Sequence, residues 1–144
     1  MIYDRYIQRE EPGKGRQRFI RDFLFFGCLT GKRLDTAFEP VFGSEWRWRI
    51  VWEEAHKDWG AVSNATFGYD VDHMRNVMAQ YKPDVVMLFG KVAVDGFRAA
   101  ALHEETDKRL VVIEAPHPAA RGSNVVENLK RTAAKLLVHV LKSA

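Results

Sequence analysis

From Ala61 onward, short unbroken apolar runs alternate with stretches whose apolar residues return every three or four positions. The runs have the length of strands, and the periodic stretches that of amphipathic helices. Ala61–Thr66 (AVSNAT), followed by Gly68, reads as a strand ending in a loop. Asp70 stands where it can cap a helix to about Tyr81, with Met74, Val77, Met78 and Tyr81 as the buried stripe. Lys82-Pro83 stops that helix. Asp84–Phe89 (DVVMLF) and Leu110–Glu114 (LVVIE) are continuous apolar runs, the pattern of strands covered on both faces. Between them Lys91–Leu102 predicts a helix with Ala93, Phe97 and Ala101 on one side. A loop over Ala115–Ser123 (APHPAARGS) leads to a last helix from near Asn124, where Asn124 and Glu127 have capping-box spacing. Leu129, Ala133, Leu136, Leu137 and Val140 form its core face. Three alternations of strand and helix predict an α/β fold, a mostly parallel sheet with helices on both faces. Ligands bind such sheets at the carboxyl ends of the strands, which singles out Asn64, Gly90 and Pro116–Arg121.

The first half is less regular. Trp48, Val51, Trp52, Ala55 and Trp59 have helical spacing, which predicts a helix of about 15 residues from a Ser44 cap to Gly60. The alternation of Trp46, Trp48, Ile50 and Trp52 also fits a strand over fewer residues. Arg47 and Arg49 lie between these tryptophans, the mixture used for stacking on bases, although buried Trp and exposed Arg give the same pattern. The apolar run 19–26 (FIRDFLFF) fits a strand or the end of a helix.

Composition narrows the class. A chain of 144 residues, 47% apolar, fits a single domain over 1–144 with a packed core. One Cys excludes an intrachain disulfide framework and a four-thiolate metal or cluster site. No run of 18 apolar residues exists, and MIYDRYIQREEPG has no apolar signal core, so no membrane partner is expected and a cytoplasmic location is. The net charge of +3 conceals an uneven distribution. Residues 14–33 carry six basic side chains against Asp22, a net of +5, and residues 121–142 carry five against Glu127, a net of +4. Residues 34–120 hold 9 basic and 14 acidic residues, a net of −5. Basic ends brought together would form a surface suited to phosphates; kept apart, they are ordinary solvated faces.

His117 is the most suggestive titratable residue. Two prolines stiffen Pro116-His117-Pro118 directly after a strand, where an imidazole can donate to a developing anion or move a proton. A rigid turn with an exposed histidine fits equally. Asn64 could read the edge of a planar base, or simply end a strand. Glu10 and Glu11 could supply a carboxylate to activate water, or be solvated. Arg121 and the helix start beyond it suit a phosphate. The glycines form no P-loop or GxGxxG frame, and no histidine pair has metal-ligand spacing, so no cofactor or metal is expected.

Taken in order, these segments resemble the uracil-DNA glycosylase superfamily, especially its family-4-like branch, over roughly residues 9–140. Arg9-Glu10-Glu11-Pro12-Gly13 is similar to an altered G-E-A-P-G motif. Leu24-Phe25-Phe26-Gly27 with Gly31-Lys32-Arg33-Leu34-Asp35 is similar to P-F-V-G-x-A-G-x-L-L-D. Asn64 ends the central strand, Pro83–Ala93 is similar to P-x-V-V-x-x-L-G-x-x-A, and His117-Pro118-Ala119-Ala120-Arg121 to the H-P-S-x motif with its wedge. The iron–sulfur cysteines of that branch are absent. The resemblance implies a three-layer α/β sandwich with a central, mostly parallel sheet. It implies a monofunctional DNA glycosylase for base-excision repair, hydrolysing the N-glycosidic bond of a flipped-out uracil or other modified base. Phe25 would stack on the base, Asn64 would bond its edge, His117 would stabilise the departing base, and Glu10 would activate water. Arg121 would fill the gap in the duplex. Arg16, Arg18, Lys130 and Arg131, from the basic ends, would hold phosphates. DNA is the expected partner, with a nucleoid location if the protein acts on it. A catalytically inactive DNA-binding or regulatory module and a nucleotide-binding α/β protein are the competing readings.

Overall fold

A computed structural model describes residues 14–55, 68–102 and 110–143, apart from the side chains of Lys14, Arg16, Phe23, Phe26 and Ser143. Over these residues the chain is mixed α/β and mostly helical. The elements are α1 (Lys14–Gly27), α2 (Leu29–Phe42), a 3₁₀ turn (Trp46–Trp48), α3 (Val71–Tyr81), β1 (Val85–Phe89), α4 (Lys91–Ala99), β2 (Val111–Ala115) and α5 (Val125–Ser143). Among the described residues the sheet has two strands, β1 and β2, paired in parallel from Val85↔Val111 to Phe89↔Ala115. None of these helices is long and apolar enough to cross a membrane. The expected strand at 61–66 lies outside the described residues, as do Glu10 and Asn64.

The elements α3, β1, β2 and α5 form where the pattern predicts them. Asp70 caps α3 by accepting a hydrogen bond from the His73 N–H at 3.1 Å. At the other end Lys82 takes a left-handed conformation (φ 44°) before Pro83. Side chains of β1 alternate between two apolar clusters, as the strand period of two requires. Met87 and Phe89 pack against a cluster built by Phe19, Ile20, Leu34, Phe38, Trp46 and Leu129. Val86 and Leu88 pack with Met74, Phe97 and Leu102. Both faces of β1 are therefore covered, although only Leu88 of the strand is fully buried.

The structure settles or changes the sequence expectation at four points. Of the two readings of the apolar run 19–26, the helix end is the one that forms: the run is the last two turns of α1, with Phe19 and Ile20 buried as adjacent residues. The α2 helix was not anticipated; its buried face is Thr30, Gly31, Leu34, Ala37 and Phe38. Helix α4 stops at Ala99, short of Leu102, and Arg75 donates from Nε and Nη2 to the Ala100 carbonyl at 3.2 and 3.1 Å. Val140 is exposed, not core, together with Val138 and Leu141. All three lie in the last two turns of the 19-residue α5.

The largest departure is the expected helix from Ser44 to Gly60. Only Trp46–Trp48 is helical among its described residues, as a 3₁₀ turn. Side chains take the backbone groups that a helix would need. The Trp52 indole N–H donates to the Arg47 carbonyl at 2.9 Å. The Trp52 N–H donates to Gln17 Oε1 at 2.6 Å, and the Gln17 amide donates back to the Trp52 carbonyl. Trp46 and Trp52 thereby enter one cluster. Six residues apart, they would lie on different sides of an α-helix, so burial of both outweighs local propensity.

Candidate active site

The site grows from the parallel β1–β2 pair. The Gly90 N–H, just past β1, donates to the carbonyl of Ala115 at the end of β2, at 2.9 Å. Gly90 has φ +91°, a backbone region that disfavours other residues. A Cβ at Gly90 would lie 2.9 Å from the His117 Cβ and 3.4 Å from its Cδ2. Glycine thus lets His117 lie directly over the carboxyl end of β1, one of the places the fold class singles out for a ligand.

The loop carrying His117 is pinned from inside and outside. Its Ala120 N–H returns to the His117 carbonyl at 2.9 Å, closing a turn. Within that turn the Ala119 N–H donates to His117 Nδ1 at 3.0 Å. From α2, Arg33 Nη1 donates to the carbonyls of Pro118 at 2.8 Å and Ala120 at 2.9 Å. These contacts link the basic segment 14–33 to the loop just before the basic segment 121–142, and α2 also packs along α5.

The bond from Ala119 fixes the chemistry of the imidazole. A nitrogen that accepts carries no proton, so neutral His117 holds its proton on Nε2. Partial burial pushes the His117 pKa below 6.5, which favours this neutral form at neutral pH. The residue still reaches solvent. An uncharged imidazole with a fixed Nε2–H can donate to an oxygen that gains negative charge during a reaction.

The other predicted residues are distributed unevenly. Arg121 is exposed on the His117 loop, four residues further on. Lys130 and Arg131 are exposed on α5, bonded to Glu127 at 3.2 Å and Asn128 at 3.4 Å. Arg18 is exposed on α1. Phe25 has aromatic and cationic partners within the chain. Its ring meets Trp46 and Trp52 edge-on at 5.5 and 5.3 Å, and the Arg47 guanidinium lies over it at 5.0 Å. Leu24 and Phe25 are partly buried and pack against the cluster of Phe19, Ile20, Trp46 and Trp52. Glu10, Asn64 and the Arg16 side chain lie outside the described residues. Arg33 was missed as a site residue because the sequence shows it only as one more positive charge.

Comparison with models of known families, with curated proteins and with solved structures finds no match.

Proposed function

We propose that this chain is a monofunctional DNA glycosylase of the uracil-DNA glycosylase type, acting on a flipped-out uracil or other modified base. The supporting observation is the neutral His117, its tautomer fixed by Ala119 and its ring over Gly90 at the end of two parallel strands. Water adds to the sugar C1′, the glycosidic bond breaks, and its electron pair leaves with the base. His117 donates from Nε2 to the base oxygen that gains the charge. Glu10 takes the proton of the attacking water and Asn64 holds the base edge. Arg121 fills the vacated stack, while Arg16, Arg18, Lys130 and Arg131 hold phosphates. In this reading the two clusters flanking β1 are the two faces of a three-layer sandwich with a central, mostly parallel sheet.

The test is base release from oligonucleotides carrying uracil, hypoxanthine or modified cytosines. An abasic product is expected from at least one. Removal of one such donor slows catalysis by roughly 10²–10³-fold, so His117→Ala should lose that much rate. An intact panel at high enzyme concentration sinks the catalytic reading.

One observation favours a second reading, a DNA-binding module without catalysis. Phe25 meets Trp46 and Trp52 and lies under Arg47, so part of the ring expected to stack on a base is already engaged within the chain. Salt-sensitive DNA binding without base release, weakened by substitution of Arg18, Lys130 and Arg131, would support it.

A further inference from the structure

The three tryptophans between residues 46 and 52 separate sharply. Trp46 and Trp52 are buried, whereas Trp48 is 47% exposed. The turn that presents Trp48 is anchored on both sides. The Trp46 indole N–H donates to Asp35 Oδ1 at 3.0 Å, Trp52 holds the Arg47 carbonyl, and the Trp48 N–H closes onto Glu45 O at 3.1 Å. A large indole is therefore held partly in water by a rigid support.

Its surroundings are cationic. Arg21 reaches across from α1 and places its guanidinium 4.8 Å from the Trp48 ring centroid. Arg18, one turn earlier on α1, and Arg49, next to Trp48, are both exposed. Glu45 lies on the same turn, Asp22 follows Arg21, and Glu53 Oε2 reaches the Gln17 amide one turn before Arg21, so the arginines stand among carboxylates as well. Indole with guanidinium is the combination that binds single strands: the ring stacks on a base and the arginines meet phosphates.

We propose that Trp48, with Arg18, Arg21 and Arg49, forms a stacking site for single-stranded nucleic acid. Arg21 holds the indole in orientation, one base stacks on the ring, and the flanking phosphates meet the arginines. The site needs no base release, so it stands or falls separately from the His117 chemistry.

The experiment titrates the full chain with a 12-residue oligothymidylate, following tryptophan fluorescence and the anisotropy of a labelled strand. Binding with fluorescence quenching is expected. Stacking contributes about a 5- to 150-fold difference in affinity per base, and Trp48→Ala should weaken binding by that factor. Trp48→Phe keeps a ring, so it should retain most of the binding while losing the quench, a comparison that holds even if the alanine variant folds poorly. Arg49→Ala should lower the slope of log K against log salt by about 0.7. No binding by the wild-type chain, or a Trp48→Phe variant quenched as strongly as wild type, overturns the site.

Discussion

Arg33 gives the sharpest test of how the His117 loop is held. Arg33→Ala removes both hydrogen bonds to the loop, at 2.8 and 2.9 Å, and leaves the buried Pro118 without that donor at its carbonyl. A hydrogen bond to a charged group contributes roughly 1.5–3 kcal/mol. One nitrogen serves both acceptors here and the side chain is only half-buried, so the pair should contribute about 1–2 kcal/mol rather than twice the single value. In a domain of this size that lowers Tm by about 2–8 °C. The second assay is an NMR titration of the His117 ring. A loosened loop should weaken the Ala119 bond, mix the two tautomers and bring the His117 pKa back up toward 6.5. Arg33→Lys keeps the charge but not the reach of a guanidinium to two carbonyls, and should fall between wild type and alanine. A variant with unchanged Tm and an unchanged His117 titration would refute the clamp.

Two further outcomes concern the same corner. Gly90→Ala puts a Cβ 2.9 Å from that of His117 at a φ of +91°, so urea unfolding should show a loss of about 2–4 kcal/mol, with displaced His117 ring resonances. His117 also makes stability depend on pH. Its folded pKa is below the unfolded 6.5, so its contribution is complete above 6.5. That contribution is lost as pH falls from there through the folded value, because the unfolded chain takes the proton first. His117→Gln should flatten this part of the profile of urea midpoint against pH, and an unchanged profile would place the acid sensitivity elsewhere.

How much of the fold the sequence reveals depends on whether local pattern and tertiary contact agree. Asp70, Lys82-Pro83 and the runs in β1 and β2 act within a few residues of themselves, and those elements form where expected. The segment 44–55 is decided by Gln17, 35 residues before Trp52 in the chain, whose side-chain amide takes both backbone groups of Trp52. Helical spacing is blind to such a partner. The α2 helix is hidden for the opposite reason: Gly31 and Pro40 read as breakers, yet both are accommodated. A Cβ at Gly31 would overlap the Leu24 carbonyl, so the glycine lets α1 and α2 approach closely.

The candidate site divides along the same line. Position after a strand and between two prolines is a local property, and it was enough to select His117. The state of that histidine depends on relations that no spacing records. The Ala119 N–H fixes the tautomer, Gly90 makes room for the ring, and Arg33 holds the turn from 85 residues away. Phe25 is the converse case. Its place in an apolar run after α1 begins is compatible with a base platform, but the partners that fill the space around it, Trp46 and Trp52, come from a segment whose helical appearance is misleading. Trp48 is left exposed by that same rearrangement. The segment that buries Trp46 and Trp52 against Phe25 also leaves Trp48 exposed, so the packing around Phe25 and the presentation of an indole at Trp48 have a common physical origin.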